Sequence, residues 1–427
     1  MKKSILPLWF TLSVVACTPK SNPLTERQLL QMLDEKDFFR IETLLEEKRT
    51  ELSEDIVFYV EAHLQNVFNR TEQSLQTIDT LLSRYEESLN DTLLLQVYKL
   101  KYDNLLKRSI YRDAAEALEI AINSYGHVLD SVTLSDMREN YNTVEPLKEL
   151  PPQKMYLTDD VTIPISRNRF SHVMMQVTSN GQSEDFIFDT GAMFSAVSES
   201  CALRLGIRIL QSAVNVGTLS NNNKIQSTVG VADKLQIGEL LFENVVFLVL
   251  PDDMLTFTQT NYAIHGIIGF PVMYQMKEIT VRQDVSLTVS THPKKRDLRN
   301  LIFDGLSPIV QFEAEGNTVL LMMDTGANTS VFSVRYFSVN KDKILSKGTP
   351  RTQEMECAGS IIESVVYDLE NLRLKIGGQE LTIPSVTVLT DNFSLLENYD
   401  GFLGQDVLMS FNKFTLNFEN MYLFFEN

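Results

Sequence analysis

The sequence predicts a multidomain α + β protein in which N-terminal α-helical hairpin repeats precede a two-lobed, mainly β region. Residues 24–145 are rich in Leu and Glu, contain no Pro and have no Gly before Gly126, a composition that favours helices. Beyond residue 160 the pattern changes to short β-branched runs separated by Gly, Asn and Pro. The tetrapeptide Asp-Thr-Gly-Ala occurs twice in this second region, which indicates a duplicated unit.

Length and composition are those of a folded, acidic chain. The chain has 427 residues, of which 44% are hydrophobic and 22% are charged, and its formal net charge is −18. This composition is typical of globular domains, and the length is sufficient for more than one hydrophobic core. The strong negative charge argues against nucleic acid as a partner. No apolar run after the N-terminus reaches the roughly 18 residues that a membrane-spanning helix needs.

The N-terminus has the three parts of a secretion signal. Two lysines precede an apolar run, and Val14-Val15-Ala16-Cys17 closes it. The cysteine after a small residue resembles the lipobox of bacterial lipoproteins. That resemblance implies a cleaved signal peptide over 1–16, a lipidated Cys17 and a short tether over 17–23. It implies a lipid-anchored protein of the bacterial cell envelope, at the outer membrane, facing the periplasm or the cell exterior. An ordinary signal peptide followed by a chance cysteine is the alternative.

A helical domain is predicted over residues 24–145. Two segments with apolar residues at helical spacing match each other at one constant offset, with Leu75 equivalent to Ala115 and Tyr85 equivalent to Tyr125. A repeat of this length is typical of stacked helical hairpins of the tetratricopeptide-like kind, which offer a surface to a protein partner. A plain helical bundle that packs on the following domains fits the pattern equally well.

The rest of the chain divides into two lobes with the same order of features. Residues 146–160, which include Pro151-Pro152, are predicted to form a linker, and the basic, Pro-containing segment 291–300 connects the lobes. Lobe one is predicted over 161–290 and lobe two over 301–427. Each lobe contains strands, the Asp-Thr-Gly-Ala motif, a long polar excursion and a second glycine motif, so the same fold is expected twice.

The two lobes match at a single sequence offset, the separation of Asp189 from Asp324, which is called the lobe offset below. The first motif pair is Asp189-Thr190-Gly191-Ala192 and Asp324-Thr325-Gly326-Ala327. The second pair, at the same offset, is His265-Gly266-Ile267-Ile268-Gly269 and Asp400-Gly401-Phe402-Leu403-Gly404. Duplication in register predicts that one carboxylate from each lobe faces a shared site.

Two carboxylates at one site have a characteristic chemistry. A pair about 3 Å apart cannot ionise fully, so the two groups share one proton. The ionised member acts as a general base on water, and the protonated member donates to a carbonyl oxygen. The glycine of each turn lets the backbone approach closely, and the threonine hydroxyls can bond across to the opposite turn. This chemistry needs no metal or cofactor, and no cysteine and histidine cluster in the sequence has metal-ligand spacing.

Residues 161–427 resemble aspartic peptidases of the retropepsin type with both halves fused into one chain, which implies a two-lobed acid-protease fold. The resemblance rests on the apolar runs Phe186-Ile187-Phe188 and Leu321-Met322-Met323 before the two aspartates, and on the distal glycine motifs. It implies that Asp189 and Asp324 are the catalytic pair of an aspartic endopeptidase, formed within one chain and acting on a peptide or protein substrate. The residues implied to support the active-site turns are Thr190, Gly191, Ala192, Thr325, Gly326, Ala327, Gly269 and Gly404. Flaps over the site are implied near residues 216–224 and 355–361.

The sequence departs from related enzymes at two points. Ala follows Asp-Thr-Gly in both lobes, where pepsin-like enzymes usually carry Ser or Thr, and without that hydroxyl the charged form of the pair is less favoured. An activity optimum less acidic than that of a pepsin is therefore expected. The aspartate that follows the motif in retropepsins is replaced by Met193-Phe194-Ser195 and Asn328-Thr329-Ser330, so its contacts to the substrate backbone are not carried over.

Two other functions stay open on the sequence alone. The β lobes could clasp a peptide without cutting it, while the helical repeats hold a partner, which would make the chain a non-catalytic binding scaffold. Alternatively, the helical domain covers the cleft and keeps an enzyme latent.

Overall fold

The computed structural model describes residues 21–217, 224–257, 261–283, 285–357, 360–376, 379–391 and 398–427. The predicted signal peptide and Cys17 lie outside the described residues, as do the centres of both predicted flaps, residues 218–223 and 358–359. The predicted order, with helices first and a mainly β region after them, is confirmed.

Helices form the N-terminal region, and each packs against the next along the chain. They are α1 (Pro23–Asp34), α2 (Phe38–Lys48), α3 (Glu54–Val67), α4 (Thr71–Tyr85), α5 (Asp91–Lys107), α6 (Tyr111–Tyr125) and α7 (Ser131–Val144). The side chains of Asn22, Asn90 and Asp130 accept backbone N–H groups at the starts of α1, α5 and α7, which satisfies donors that a helix leaves unpaired. None of the described helices is both long and apolar enough to cross a membrane.

The helical repeat predicted from sequence is visible in the structure. Helices α4 and α6 are equal in length and lie at the offset that relates Leu75 to Ala115, and a short 3-10 turn follows each of them. Phe58 stacks on Tyr85 with ring centroids 5.9 Å apart, and the equivalent pair, Tyr98 and Tyr125, stacks at 5.7 Å. Because equivalent residues make equivalent contacts, the structure favours stacked helical hairpins over a bundle without internal repeats.

The described residues of lobe one form strands with short helices between them. They are β1 (Lys154–Tyr156), β2 (Val161–Pro164), β3 (Ser166–Arg167), β4 (Val173–Ser179), β5 (Gln182–Phe188), β6 (Ser195–Ser198), α8 (Glu199–Arg204), β7 (Arg208–Ile209), β8 (Val214–Gly217), β9 (Lys224–Ile237), β10 (Leu240–Leu250), β11 (Thr256–Phe257), β12 (Tyr262–Ala263), β13 (Gly266–Ile268), α9 (Phe270–Gln275), β14 (Glu278–Arg282) and β15 (Ser286–Val289).

Lobe two follows the same plan. Its elements are β16 (Leu301–Asp304), β17 (Ser307–Ala314), β18 (Asn317–Met323), β19 (Val331–Phe332), α10 (Val334–Val339), α11 (Lys341–Lys347), β20 (Thr349–Cys357), β21 (Ser360–Ile376), β22 (Gln379–Leu389), β23 (Gly401–Leu403), α12 (Gln405–Leu408), β24 (Lys413–Asn417) and β25 (Tyr422–Glu426). Strands β8 and β9 are antiparallel, as are β20 and β21, and their pairing reaches the described ends of the predicted flap regions, with Gly217 opposite Lys224 and Cys357 opposite Ser360.

The two lobes share one topology and one register. The central strand order is β10-β6-β13-β5-β4 in lobe one and β22-β19-β23-β18-β17 in lobe two. In each lobe the strand that leads to Asp-Thr-Gly lies parallel to the distal glycine strand, with Ile268 beside Phe188 and Leu403 beside Met323. Equivalent residues therefore pair in the same way, which gives the lobe offset a structural basis.

A separate sheet joins the lobes in the order β2-β15-β14-β24-β25. Strands β14 and β24 are antiparallel, and Thr280 pairs with its own equivalent, Thr415, with their hydroxyl oxygens 3.0 Å apart. When a residue meets its equivalent across an antiparallel pair, the pair lies on a twofold axis. The approximate axis that relates the lobes therefore passes between these threonines.

The segment predicted as a linker, 146–160, differs from a free connector. Strand β1 lies within it and pairs with β10, with Met155 opposite Phe242, and the Gln153 side chain donates to the Pro271 carbonyl at 2.9 Å. The proline pair before β1 indicates the end of the helical pattern. It does not indicate the short edge strand that follows, because so short a strand has little periodicity.

The helical domain packs directly on lobe two. The apolar core of α1–α5 continues into Ile302, Ile309 and Met322 of lobe two. At the edge of this contact Lys36 forms an ion pair with Asp304, and the Tyr399 hydroxyl donates to the same carboxylate at 2.8 Å. Apolar burial is the largest favourable contribution to such contacts, so the two parts form one packed unit.

Candidate active site

Asp189 and Asp324 follow equivalent strands and meet between the lobes. The Asp189 amide donates to the Ile268 carbonyl at 3.0 Å, and the Asp324 amide donates to the Leu403 carbonyl at 3.0 Å. These bonds fix each aspartate to the distal glycine strand of its own lobe. The two carboxyl groups form a hydrogen bond with each other. The structure thus brings together the two aspartates that the sequence singled out; below they are called the carboxyl pair.

Backbone amides of the two turns orient the carboxyl pair. Gly191 N donates to Asp189 Oδ1 at 2.8 Å, and Gly326 N donates to Asp324 Oδ1 at the same distance. Ala327 N adds a second bond to Asp324 Oδ1 at 3.0 Å. The glycines are needed because the turns approach so closely: a methyl group at Gly326 would lie 2.5 Å from Asp189 Oδ2.

The environment of the carboxyl pair favours protonation. Burial raises the pKa of Asp189 despite the amides that stabilise its charge. Burial, the neighbouring charge of Asp189 and the bond between the two carboxyls raise the pKa of Asp324 well above its usual range. The two carboxyls therefore cannot both ionise readily, and the pair retains one proton to a higher pH than a lone aspartate would.

Two threonines lock the turns together. Thr190 Oγ1 accepts the Thr325 amide at 3.0 Å and donates to the Met323 carbonyl at 2.8 Å. Thr325 Oγ1 accepts the Thr190 amide at 2.9 Å and donates to the Phe188 carbonyl at 2.8 Å. Both threonines are buried. The four bonds cross between the lobes, so they fix the separation of the two aspartates.

The distal glycines are held by serines for which the sequence suggested no role. Gly269 N donates to Ser195 Oγ at 3.0 Å, and Gly404 N donates to Ser330 Oγ at 2.9 Å. Both serines are buried. They are related by the lobe offset, and that signal could have indicated this supporting role.

Alanine in place of Gly269 is expected to destabilise the protein by about 2–3 kcal/mol, since overpacking at rigid backbone has costs of this size. The added methyl group would lie 2.5 Å from the Phe194 carbonyl oxygen, and backbone cannot move aside as a side chain can. Urea unfolding measures the loss. Gly126→Ala is the matched control, because there the methyl meets only a flexible Leu134 methyl at 3.0 Å. Equal stabilities of the two variants would contradict the close packing at Gly269.

Two further side chains lie close to the active-site turns without a sequence signal. Gln405 is buried, and its Nε2 donates to the Thr325 carbonyl at 2.7 Å. His172 lies near the turns: burial lowers its pKa, while the charge of Asp189 and the Gly326 backbone act in the opposite direction. The residues at the equivalent positions of the other lobe are Phe270 and Ser307, so the duplication could not reveal either of them.

A family model described as "Aspartyl protease" matches residues 175–272. The matched segment runs from β4 to α9 and includes the Asp189 turn and Gly269. The β-rich region therefore contains an aspartyl protease domain with a protease-like fold. Comparison with curated proteins gives no match. Within the described part of the chain, His, Cys, Asp and Glu side chains form no group of three that could hold a metal ion.

Proposed function

We propose that the chain is a membrane-anchored aspartic endopeptidase, which hydrolyses peptide bonds through a water molecule activated by Asp189 and Asp324. The observation that carries the proposal is the hydrogen-bonded carboxyl pair between two equivalent lobes, fixed by the crossed threonine bonds. The aspartyl protease match over lobe one supports the same activity. Lobe two, with its own Asp-Thr-Gly-Ala turn, completes the pair within one chain.

The reaction follows from the shared proton. Ionised Asp189 takes a proton from the water molecule, and the water oxygen attacks the peptide carbonyl carbon. At the same time Asp324 gives its proton to the carbonyl oxygen. The resulting tetrahedral diol collapses when the proton on Asp189 passes to the amide nitrogen and the C–N bond breaks. A diol hydroxyl proton returns to Asp324, which restores the starting state. The high pKa of Asp324 suits it to the role of acid.

The proposed location rests on the N-terminal sequence. The lipobox-like Val14-Val15-Ala16-Cys17 supports lipidation of Cys17 and a place in the bacterial cell envelope, at the outer membrane, on the periplasmic side or the cell surface. The helical repeats provide a surface on which a protein partner could bind.

Cleavage of a peptide library by the purified chain, inhibited by pepstatin, is the expected result. Activity needs one proton on the carboxyl pair. Because the pKa of Asp324 is raised, that proton is retained to higher pH, and the optimum is expected above about pH 3. Rates measured between about pH 2 and 8 test this. Peptide binding without cleavage at every pH would favour the non-catalytic scaffold, and a peak below about pH 3 would contradict the expected pH range.

A further inference from the structure

The helical hairpins α1–α2, α3–α4 and α5–α6 share one kind of turn. Each turn contains a residue with a left-handed backbone, and these residues are Lys36 at φ 59°, Asn69 at φ 59° and Ser109 at φ 56°. A left-handed residue is a common way to end a helix. Lys36 forms the ion pair with Asp304, so the first of these turns meets lobe two. Asn69 lies at the equivalent point of the second hairpin, and its side chain meets both lobes.

Asn69 bridges the lobes with two hydrogen bonds. Its Nδ2 donates to the Phe418 carbonyl of lobe two at 2.7 Å. Its Oδ1 accepts the Tyr274 hydroxyl of lobe one, also at 2.7 Å. The amide uses its donor on one lobe and its acceptor on the other, which fixes its orientation. Because asparagine tolerates a left-handed backbone better than most residues do, one residue can close the turn and bridge the lobes.

On the lobe-one side, the bridge is connected directly to the active-site turn. Tyr274, which Asn69 holds, lies in α9, and the first residue of α9 is Phe270. The Phe270 amide donates to the Ala192 carbonyl at 2.8 Å, and Ala192 is the last residue of the motif that begins at Asp189. A displacement of α9 relative to lobe two would therefore be passed to the turn that carries Asp189.

The seam between the lobes is aromatic on the side that the helices cover. Phe270 of lobe one packs against Phe303 and Phe418 of lobe two, with ring centroids 4.9 and 5.7 Å apart. The buried Lys107 of α5 places its Nζ 5.5 Å from the centre of the Phe303 ring. A cation over an aromatic ring is attracted to it. The helical domain thus touches this aromatic cluster through Lys107 as well as through Asn69.

The equivalent positions on the other side of the approximate twofold axis are polar. The lobe offset relates Phe270 to Gln405, Phe303 to Asn168 and Phe418 to Gln283. The side chains of Gln405 and Gln283 both accept from the Arg167 guanidinium. A duplication alone would give both sides the same residues. The aromatic residues on one side therefore mark the part of the seam that the helices keep from water.

We propose that the helical domain is part of the catalytic unit and that Asn69 is a positioning residue, which ties α9 of lobe one to Phe418 of lobe two and so holds the carboxyl pair in its reactive geometry. The inference rests on the proposed function, since it concerns the same carboxyl pair. The crossed threonine bonds hold the two turns at the site itself, and the Asn69 bridge resists relative movement of the lobes at their seam. In this role the helical domain supports catalysis and does not suppress it.

Asn69→Gly removes both bonds of the bridge and keeps the turn, since glycine adopts a left-handed backbone freely. We expect kcat for peptide cleavage by the full chain to fall about three- to tenfold, with KM within about twofold. The basic limb of the kcat profile should move to lower pH, because a looser carboxyl pair gives up its shared proton more easily. Asn371→Gly is the matched control. Asn371 is an exposed residue of β21 at φ 54°, and its variant should keep the wild-type rate and profile.

Tyr274→Phe tests one bond of the bridge, because it removes only the hydroxyl that donates to Asn69. Its loss of kcat and its shift of the basic limb should be in the same direction as those of Asn69→Gly, but smaller. Combined with Asn69→Gly it should cause little further loss, since the bond between the two side chains is already gone.

The outcomes distinguish this inference from the proposed function. If the wild-type chain cleaves no peptide, the proposed function fails and the inference fails with it. If the wild type cleaves and Asn69→Gly keeps its kcat and its basic limb, only the inference is overturned. Losses that add fully in the double variant, or a lower kcat with an unshifted basic limb, would reduce Asn69 to a residue of general stability and also overturn it. Urea unfolding shows whether each variant is folded in the assay; should Asn69→Gly unfold, the basic limb of Tyr274→Phe decides alone.

Discussion

Asp189→Asn and Asp324→Asn are each expected to lower kcat for peptide cleavage by about 10³-fold or more, a loss typical of removing general acid–base catalysis. An amide cannot take the water proton in place of Asp189, nor give one to the carbonyl oxygen in place of Asp324. The two losses should be similar and should not add in the double variant, because the pair acts as one unit. Rates on a peptide found in the library measure them. Asp185→Asn, an exposed aspartate of β5, is the matched control with an unchanged rate.

The same substitutions should leave the fold intact, and Asp324→Asn should stabilise it at neutral pH. The raised pKa of Asp324 means that the folded state binds its proton more tightly than the unfolded state does. Stability therefore falls as the pH rises from about 4, the pKa of an unfolded aspartate, toward the folded value. The asparagine amide of Asp324→Asn does not ionise, so the variant escapes this loss of stability. Urea unfolding at pH 7 should therefore show a higher midpoint for Asp324→Asn than for the wild type. Wild-type activity in either variant would contradict the catalytic pair, and a lower midpoint for Asp324→Asn would contradict the raised pKa.

The duplication made most of the site predictable from sequence. The lobe offset relates both ends of β5 to those of β18, and both ends of β13 to those of β23. Once one motif was recognised, the offset therefore identified the equivalent motif and with it the second aspartate. The chemistry of two adjacent carboxylates is general and needs no further information. The same argument extends to Ser195 and Ser330, whose roles the offset could have indicated.

Contacts that the two lobes do not share could not be predicted in this way. Gln405 donates to the Thr325 carbonyl of the lobe-two turn from a position whose equivalent in lobe one, Phe270, cannot make the same bond. The interface between the helices and lobe two depends on Ile302 and Met322, whose apolar character fits a core of either domain equally well. Sequence periodicity indicates which face of an element is buried but not which element covers it.

Thr190→Val is expected to destabilise the protein by about 3 kcal/mol, because it leaves two buried backbone groups without partners. Valine has nearly the shape of threonine but can neither accept the Thr325 amide nor donate to the Met323 carbonyl. Thr325→Val should have an equal effect, since its bonds to Thr190 and Phe188 are the mirror of these. The lobes should then separate slightly at the turns, so kcat falls as well. Urea unfolding and peptide cleavage measure the two effects.

Serine at either position is the control that isolates the hydroxyl. Thr190→Ser loses a methyl group but keeps all of the crossed bonds. Its loss of unfolding free energy should stay near 1 kcal/mol, because a buried methylene contributes about 0.8 kcal/mol. Its kcat should stay near that of the wild type. In the double variant, with valine at both positions, the loss of unfolding free energy should be less than the sum of the losses in the two single variants. Both threonines hold the same two turns, so once one set of bonds is lost the other is already weakened. If valine and serine had equal effects, the crossed hydrogen bonds would contribute nothing beyond packing, and the separation of Asp189 and Asp324 would have to be set instead by the joining sheet around Thr280 and Thr415.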